Sequence, residues 1–228
     1  MSQAVLAVVI PALNESRRLP ALLADLSQAP GGLIHELVVV DGGSVDATAA
    51  VARLAGAHLI RSEANRGRQL QVGIEGTTAP WLLLLHADAR LPPGWEKKVQ
   101  KAMGASQASW FFDLGIASAG LSLRMLEMSV ALRSRWRQLP YGDQGLLVPR
   151  VLLEHCGGMR PCPLMEDLDL IQRLQGKGPV RPLGATIQVD GRRWRRHGVL
   201  GTAWRNAALR RAWRRGCSAE ELARRYYG

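Results

Sequence analysis

Cysteine is scarce in this chain. Cys156, Cys162 and Cys217 are the only three, an odd number without CxxC spacing, so neither a disulfide framework nor a cysteine-built zinc site is indicated. No apolar stretch approaches the roughly 18 to 20 residues a membrane-spanning helix needs. The opening MSQAVLAVVIPALNE lacks the basic lead and the small-residue cleavage site of a secretory signal. These absences together predict a cytoplasmic setting. No G-x-G-x-x-G stands in the first strand-to-helix crossover and no Walker A run occurs, which excludes the dinucleotide and P-loop readings. Internal repeats, low-complexity tracts and linkers are missing too, so the 228 residues predict one domain.

Hydrophobic residues make up 47% of the chain and the mean hydropathy is −0.05, enough for a sizeable core in a soluble, globular protein. The net charge of +11 is uneven. From Gly191 onward eleven arginines face two glutamates, a local balance of +9, interleaved with Trp194, Trp204, Trp213, Tyr226 and Tyr227. Basic residues among aromatics suit an anionic membrane surface, at the inner face of a membrane for a cytoplasmic protein, or a nucleic acid. A solvated helix face is the plain alternative.

The first half alternates strand and helix. VLAVVI (5–10), ELVVVD (36–41), HLIRS (58–62) and WLLLLH (81–86) read as buried strands. Helices are expected from Asn14 and Glu15 to about Ser27, over 46–55, and from about Arg68 to Gly76. That alternation predicts a parallel sheet with right-handed crossovers. The second half is less regular, with strands near 108–114 and 145–149 and helices near 121–137 and 166–175. One or two further helices are expected beyond Gly198.

Ligands gather beyond the carboxyl ends of such strands. PALNE (11–15), DGGSVD (41–46) and HAD (86–88) all fall on that rim. Asp88 ends an apolar run, where a carboxylate is costly unless a metal ion or a positive side chain meets it. Arg66, Gly67 and Arg68, ahead of a helix start, form a turn that favours an anion.

In order, VVIPALNE, VVVDGGSVDAT, NRGRQLQVGI, LLLLHADARLPPG and PLMEDLDL resemble the inverting family 2 glycosyltransferases of the GT-A fold, over about residues 5 to 175. WFFDL (110–114), YGDQGLLVPR (141–150) and GRRWRRHG (191–198) are similar to the branch labelled arsenosugar-biosynthesis-type. The resemblance implies an α/β fold with a mainly parallel central sheet flanked by helices and a helical, basic C-terminus. It divides the chain into a nucleotide-binding half (about 1–100), an acceptor half (101–190) and the basic tail (191–228).

It also implies roles. Pro11, Asn14 and Glu15 match the first nucleotide-binding loop, and Asp41, followed by Gly43, matches the acid that reads the base. Arg66, Gly67, Arg68 and Gln69 match the loop near the donor's diphosphate. HAD stands in place of the family's D-x-D, so Asp88 corresponds to the carboxylate that holds a divalent cation. His86 replaces the first acid, leaving fewer hard oxygens for Mg2+ and tilting preference toward Mn2+, and His197 is a further candidate ligand. In MED (165–167), Asp167 matches the general base and Glu166 its neighbour. Tyr141, Asp143 and Gln144 are expected on the acceptor side, with Trp110 as a stacking platform for a sugar.

The implied reaction moves a sugar from a UDP- or GDP-type donor to a hydroxyl of a small-molecule or lipid-linked acceptor. Two other classes compete with it: a membrane-associated nucleotide-binding module without turnover, and a nucleic-acid-binding protein using the basic tail. Intact Asp88 and Asp167 speak against the first. The acidic rim and the lack of a nucleic-acid motif speak against the second, so no nucleic acid is expected as a partner.

Overall fold

The computed structural model describes residues 6–105, 107–118, 120–191, 194 and 198–227, apart from the side chains of Leu200 and Tyr227. Within them eight strands form one sheet in the order β3-β2-β1-β4-β7-β6-β8-β5. The first half is parallel, as the alternating pattern predicts. β1 (Leu6–Ala12) lies between β2 (Ile34–Asp41) and β4 (Trp81–Leu84), and β3 (His58–Arg61) sits outside β2. The crossovers are α1 (Leu19–Ser27), α2 (Thr48–Leu54) and α3 (Arg66–Glu75).

The second half comprises β5 (Ala89–Arg90), α4 (Trp95–Met103), β6 (Ser109–Ala117), α5 (Leu121–Trp136) and a 3-10 turn at Gly142–Gln144. Then follow β7 (Leu146–Pro149), α6 (Arg150–His155), α7 (Glu166–Gln175), β8 (Val180–Asp190), α8 (Val199–Arg214) and α9 (Ala219–Tyr227). The sheet is mixed, with four of its seven pairings parallel. β7 runs antiparallel to both β4 and β6, β5 runs antiparallel to β8, and only β6 and β8 restore a parallel pair. Strand direction leaves no mark in a four-residue apolar run such as LLVP.

The core explains why the strands read as unbroken apolar runs. Leu6, Val8 and Ile10 of β1 join a cluster with Leu19, Leu22 and Leu26 of α1 and with Trp95, Val99 and Met103 of α4. Ala7 and Val9 face the other way, into a cluster with Leu70 and Ile74 of α3 and with Leu170, Ile171 and Leu174 of α7. A sheet covered on both faces needs apolar residues at every position, not at every second one.

Helix α1 starts later than the sequence suggests. Asn14 has φ of +55°, a left-handed conformation no helix interior accepts, and Pro20 sits in the first turn of the helix, where its missing N–H is harmless. α3 starts two residues earlier than expected because the Asn65 side chain caps it, accepting from Arg68 N at 3.0 Å.

Candidate active site

The carboxyl ends of β1 and β2 are stitched to each other by short-range polar contacts. Gly42 N donates to Ala12 O at 2.9 Å, Asn14 N to Ser44 Oγ at 2.8 Å, Val45 N to Asn14 Oδ1 at 2.9 Å and Glu15 N to Thr48 Oγ1 at 2.8 Å. Asp41, only 2% exposed, accepts from Ser44 N at 3.0 Å. Pro11 is buried within β1 opposite Val40, so it shapes the strand end, while the exposed Gly43 turns the loop at φ +88°.

Two residues at the start of α3 do structural work. Buried Gln69 donates from Nε2 to Ala12 O and Val40 O at 3.0 and 2.8 Å, bracketing the ends of β1 and β2. A Cβ on Gly67 would lie 2.5 to 2.7 Å from the backbone of Arg160 and Cys162, so glycine is what lets that segment approach the helix. Arg68 stays half-buried and donates to Gln71 Oε1 at 3.1 Å.

Beyond β4 the chain leaves the core and enters a cavity of about 160 Å³, lined among others by Arg66, His86, Asp88, Tyr141, Asp143, Glu166 and Asp167. Residues that lie far apart in sequence therefore share one wall. Glu166 and Asp167 open α7, directly after Met165, whose φ is +65°. Asp167 Oδ2 accepts from Gly142 N at 2.7 Å and Oδ1 accepts from Leu168 N at 2.7 Å. A negative carboxylate is also favoured in the first turn of a helix. A Cβ on Gly142 would lie 2.8 Å from His86 Nε2 and 3.3 Å from Asp167 Oδ2, so the imidazole and the carboxylate converge on this glycine.

Glu166 is 2% exposed and forms an ion pair with Arg66 Nη1 at 3.0 Å, joining the starts of α3 and α7. Burial pushes its carboxyl above the ordinary range, and Arg66 opposes that rise. The Tyr141 ring lies beneath two guanidiniums, Arg133 at 3.7 Å and Arg210 at 5.3 Å from its centroid.

Two residues expected on the acceptor side lie elsewhere. Trp110 packs against the core cluster of α1 and α4, with Arg181 6.0 Å from its ring centroid, and is not among the cavity walls. Gln144 is fully buried. It donates to Phe112 O at 3.0 Å and accepts from Ser134 Oγ at 2.8 Å, which fixes the 3-10 turn rather than a ligand. His197 lies outside the described residues.

The structure adds residues that motif reading passed over. Asp190, at the end of β8, lines the cavity, and the antiparallel pairing of Ala89 with Val189 sets it beside Asp88. Arg18 clamps it, donating from Nε to Asp190 Oδ2 at 2.5 Å and from Nη1 to Glu15 Oε2 at 3.2 Å. Arg210 of α8 and Tyr226 of α9 close the far side, so the tail forms part of the site. A strand-end acid was the available signal for Asp190. Its strand, with Arg181, Pro182, Gly184 and Gln188, gives no apolar run to mark it.

Among the described residues no group of three or more His, Cys, Asp or Glu is arranged to hold a metal ion by itself. Asp88 offers hard carboxylate oxygen at the cavity wall, which fits a divalent cation that takes its remaining ligands from substrate phosphates and water. Among the described residues no helix is long and apolar enough to cross a membrane.

The family described as Glycosyl transferase family 2 matches residues 7–143, more than half of the chain. An uncharacterized glycosyltransferase of Mycobacterium tuberculosis is 35% identical over 88 residues, 38% of this chain and 38% of that one. The glucosyl-3-phosphoglycerate synthase of Mycolicibacterium smegmatis is 42% identical over 57 residues, 25% of this chain and 19% of that one. The chain thus spans under two fifths of the length of these curated relatives. Among solved structures, the M. tuberculosis glucosyl-3-phosphoglycerate synthase in complex with Mn2+, UDP and phosphoglyceric acid is similar with a TM-score of 0.59 at 21% identity. That likeness covers 79% of this chain and 69% of that one. A fragment of S. aureus TarS gives a TM-score of 0.64 at 13% identity, over 82% and 60%. These likenesses show a GT-A-like α/β fold with a mixed sheet flanked by helices.

Proposed function

The chain belongs to glycosyl transferase family 2, and from that membership we propose that it moves a sugar from a UDP- or GDP-type donor to an acceptor hydroxyl in one inverting displacement. The observation that carries this reading is the meeting of Asp88, His86 and Asp167 in a single cavity. Asp41, Asn14 and Glu15 border the nucleotide's place at the ends of β1 and β2, where acids and amides suit base N–H groups and ribose hydroxyls. Arg66 stands at the cavity edge beside the helix start, on the side where the diphosphate would lie.

In the proposed reaction Asp167 takes the proton of the acceptor hydroxyl as its oxygen forms a bond to the anomeric carbon. The bond from that carbon to the diphosphate oxygen breaks, and the nucleoside diphosphate leaves with the electron pair. Attack from the face opposite the leaving group inverts the centre. The Gly142 N–H holds one oxygen of Asp167, so the carboxylate meets the acceptor in a fixed orientation. Tyr141 and Asp143 line the acceptor's side, with the Tyr141 ring braced by Arg133 and Arg210. Asp88, with His86 in the same wall, would hold a divalent cation, Mn2+ or Mg2+, whose chemistry is Lewis-acid stabilisation of the departing diphosphate.

The acceptor is a small or lipid-linked hydroxyl compound. We place the chain in the arsenosugar-biosynthesis-type branch on WFFDL, YGDQGLLVPR and GRRWRRHG, a kinship that names no acceptor. The test is a donor-hydrolysis screen over UDP- and GDP-sugars with Mn2+, repeated with Asp167→Asn. One donor class should be cleaved, and the variant should bind it without turnover. Failure of every donor both to bind and to react would overturn the reading.

A further inference from the structure

Helix α5 has two apolar faces, and only one of them is covered. Leu123 and Val130 are buried against Leu114 and Ile116 of β6 and Val189 of β8, and Ser134 is fully buried beside Gln144. The opposite face carries Leu121, Met125, Met128, Leu132 and Trp136, which are between 64% and 80% exposed. At about 100° per residue these five fall within an arc of about 80°. A continuous exposed apolar stripe four turns long is a binding surface rather than scattered surface residues.

The charge around the stripe selects its occupant. Arg124 and Arg135 border the arc, each in an ion pair, with Glu127 and Asp113 respectively. The larger excess comes from α8, which packs against α5. Trp204, 77% exposed, stands there among exposed Arg205, Arg211, Arg214 and Arg215, and no acid occurs between Val199 and Arg215. A second copy of this chain, with a net charge of +11, would set arginine against arginine. A nucleic acid would satisfy the arginines and leave the aliphatic stripe in water.

We propose that α5 seats the protein on an anionic lipid bilayer, its Leu/Met/Trp face entering the headgroup boundary while the arginines of α8 hold the acidic headgroups. The inner sides of the same two helices supply Arg133 and Arg210, which stack on Tyr141 of the cavity wall. Seating therefore brings the cavity next to the lipid surface, independently of which sugar is transferred.

The test is co-sedimentation of the full chain with vesicles of phosphatidylcholine alone or with about 30% phosphatidylglycerol. Partition should be at least about tenfold stronger on the anionic vesicles and should fall as NaCl rises from about 0.1 to 0.5 M, since salt screens the headgroup attraction. The triple variant Met125→Gln/Met128→Gln/Leu132→Gln should lose about tenfold in partition while its melting temperature and donor binding stay unchanged. Met125→Glu alone, at a position 64% exposed, should weaken partition in the same direction and serves if the triple variant melts early. Partition unaffected by these substitutions would overturn the proposal. So would a dimer, seen by light scattering, that the substitutions dissociate, or binding to duplex DNA in place of vesicles.

Discussion

Arg66→Met removes the cation that faces Glu166 at the joint between α3 and α7. The Glu166 side chain is 2% exposed and that of Arg66 32%, with 3.0 Å between them. Breaking a buried ion pair by removing one partner costs about 3–5 kcal/mol. Arg66 is a third open to solvent, and Glu166 can escape by taking up a proton, so about 2–3 kcal/mol is expected at pH 8. Burial already lifts the Glu166 carboxyl above its ordinary value, with Arg66 as the main opposing influence, and the substitution lifts it further. An acid whose folded pKa is raised contributes most below its unfolded pKa. That contribution is lost as pH climbs toward the folded value, by at most about 1.4 kcal/mol per pH unit for one proton. The loss caused by Arg66→Met should therefore shrink to under about 1.5 kcal/mol at pH 5. Urea unfolding at the two pH values measures it. Adding Glu166→Gln should restore about 1–2 kcal/mol at pH 8, a coupling a double-mutant cycle reads directly. Equal destabilisation at both pH values, or no recovery in the double variant, would refute this reasoning.

Asp167→Asn should lower kcat by about 10²- to 10⁴-fold with donor affinity unchanged, measured by transfer assay and calorimetry, because the amide keeps the size but cannot accept the proton. Asp88→Asn should abolish the Mn2+-dependent part of donor affinity in calorimetry, and unchanged affinity would move the cation elsewhere. Gly142→Ala places a methyl 2.8 Å from His86 Nε2 and 3.3 Å from Asp167 Oδ2. It should cost about ten- to hundredfold in kcat with little change in melting temperature, since small displacements at the reacting centre are costly, and a normal kcat would show that the two side chains have slack.

The parallel half was readable because burial on both faces writes strands as plain apolar runs, and because Asp41, His86 and Asp88 mark the points where those runs leave the core. Three physical facts hid the rest. Direction is invisible in a strand as short as β7, which is why its antiparallel pairings with β4 and β6 left no trace in the pattern. β8 alternates buried and exposed residues around Pro182 and Gly184, so Asp190 was not seen as a strand-end acid. Motif proximity also misled for polar side chains: Gln69 and Gln144 stand inside the motif runs RGRQ and YGDQ, yet both use their amides on backbone carbonyls. A buried amide beside a ligand loop has two competing uses, and sequence does not say which one geometry has taken.

The question posed by an acid at the end of an apolar strand has a structural answer. Among the described residues Asp88, Asp143, Glu166, Asp167 and Asp190 line one cavity, with Arg66 and Arg210 as its arginines, and Arg66 is engaged with Glu166. Such a cavity repels a free diphosphate at short range. In the proposed reaction a divalent cation held by Asp88 would be the largest local charge and would reverse the sign of that interaction. The same excess of carboxylate suits the other substrate, whose hydroxyls donate hydrogen bonds and whose proton must find a base. The arginine-rich tail resolves the contrast in charge. Among its described residues Arg205, Arg211, Arg214, Arg215, Arg224 and Arg225 are exposed and not among the cavity walls, while Arg210 of α8 lines the cavity and stacks on Tyr141. Carboxylates lining the cavity and exposed arginines on α8 are the distribution that the proposed cation-assisted transfer and the proposed seating on an anionic surface both call for.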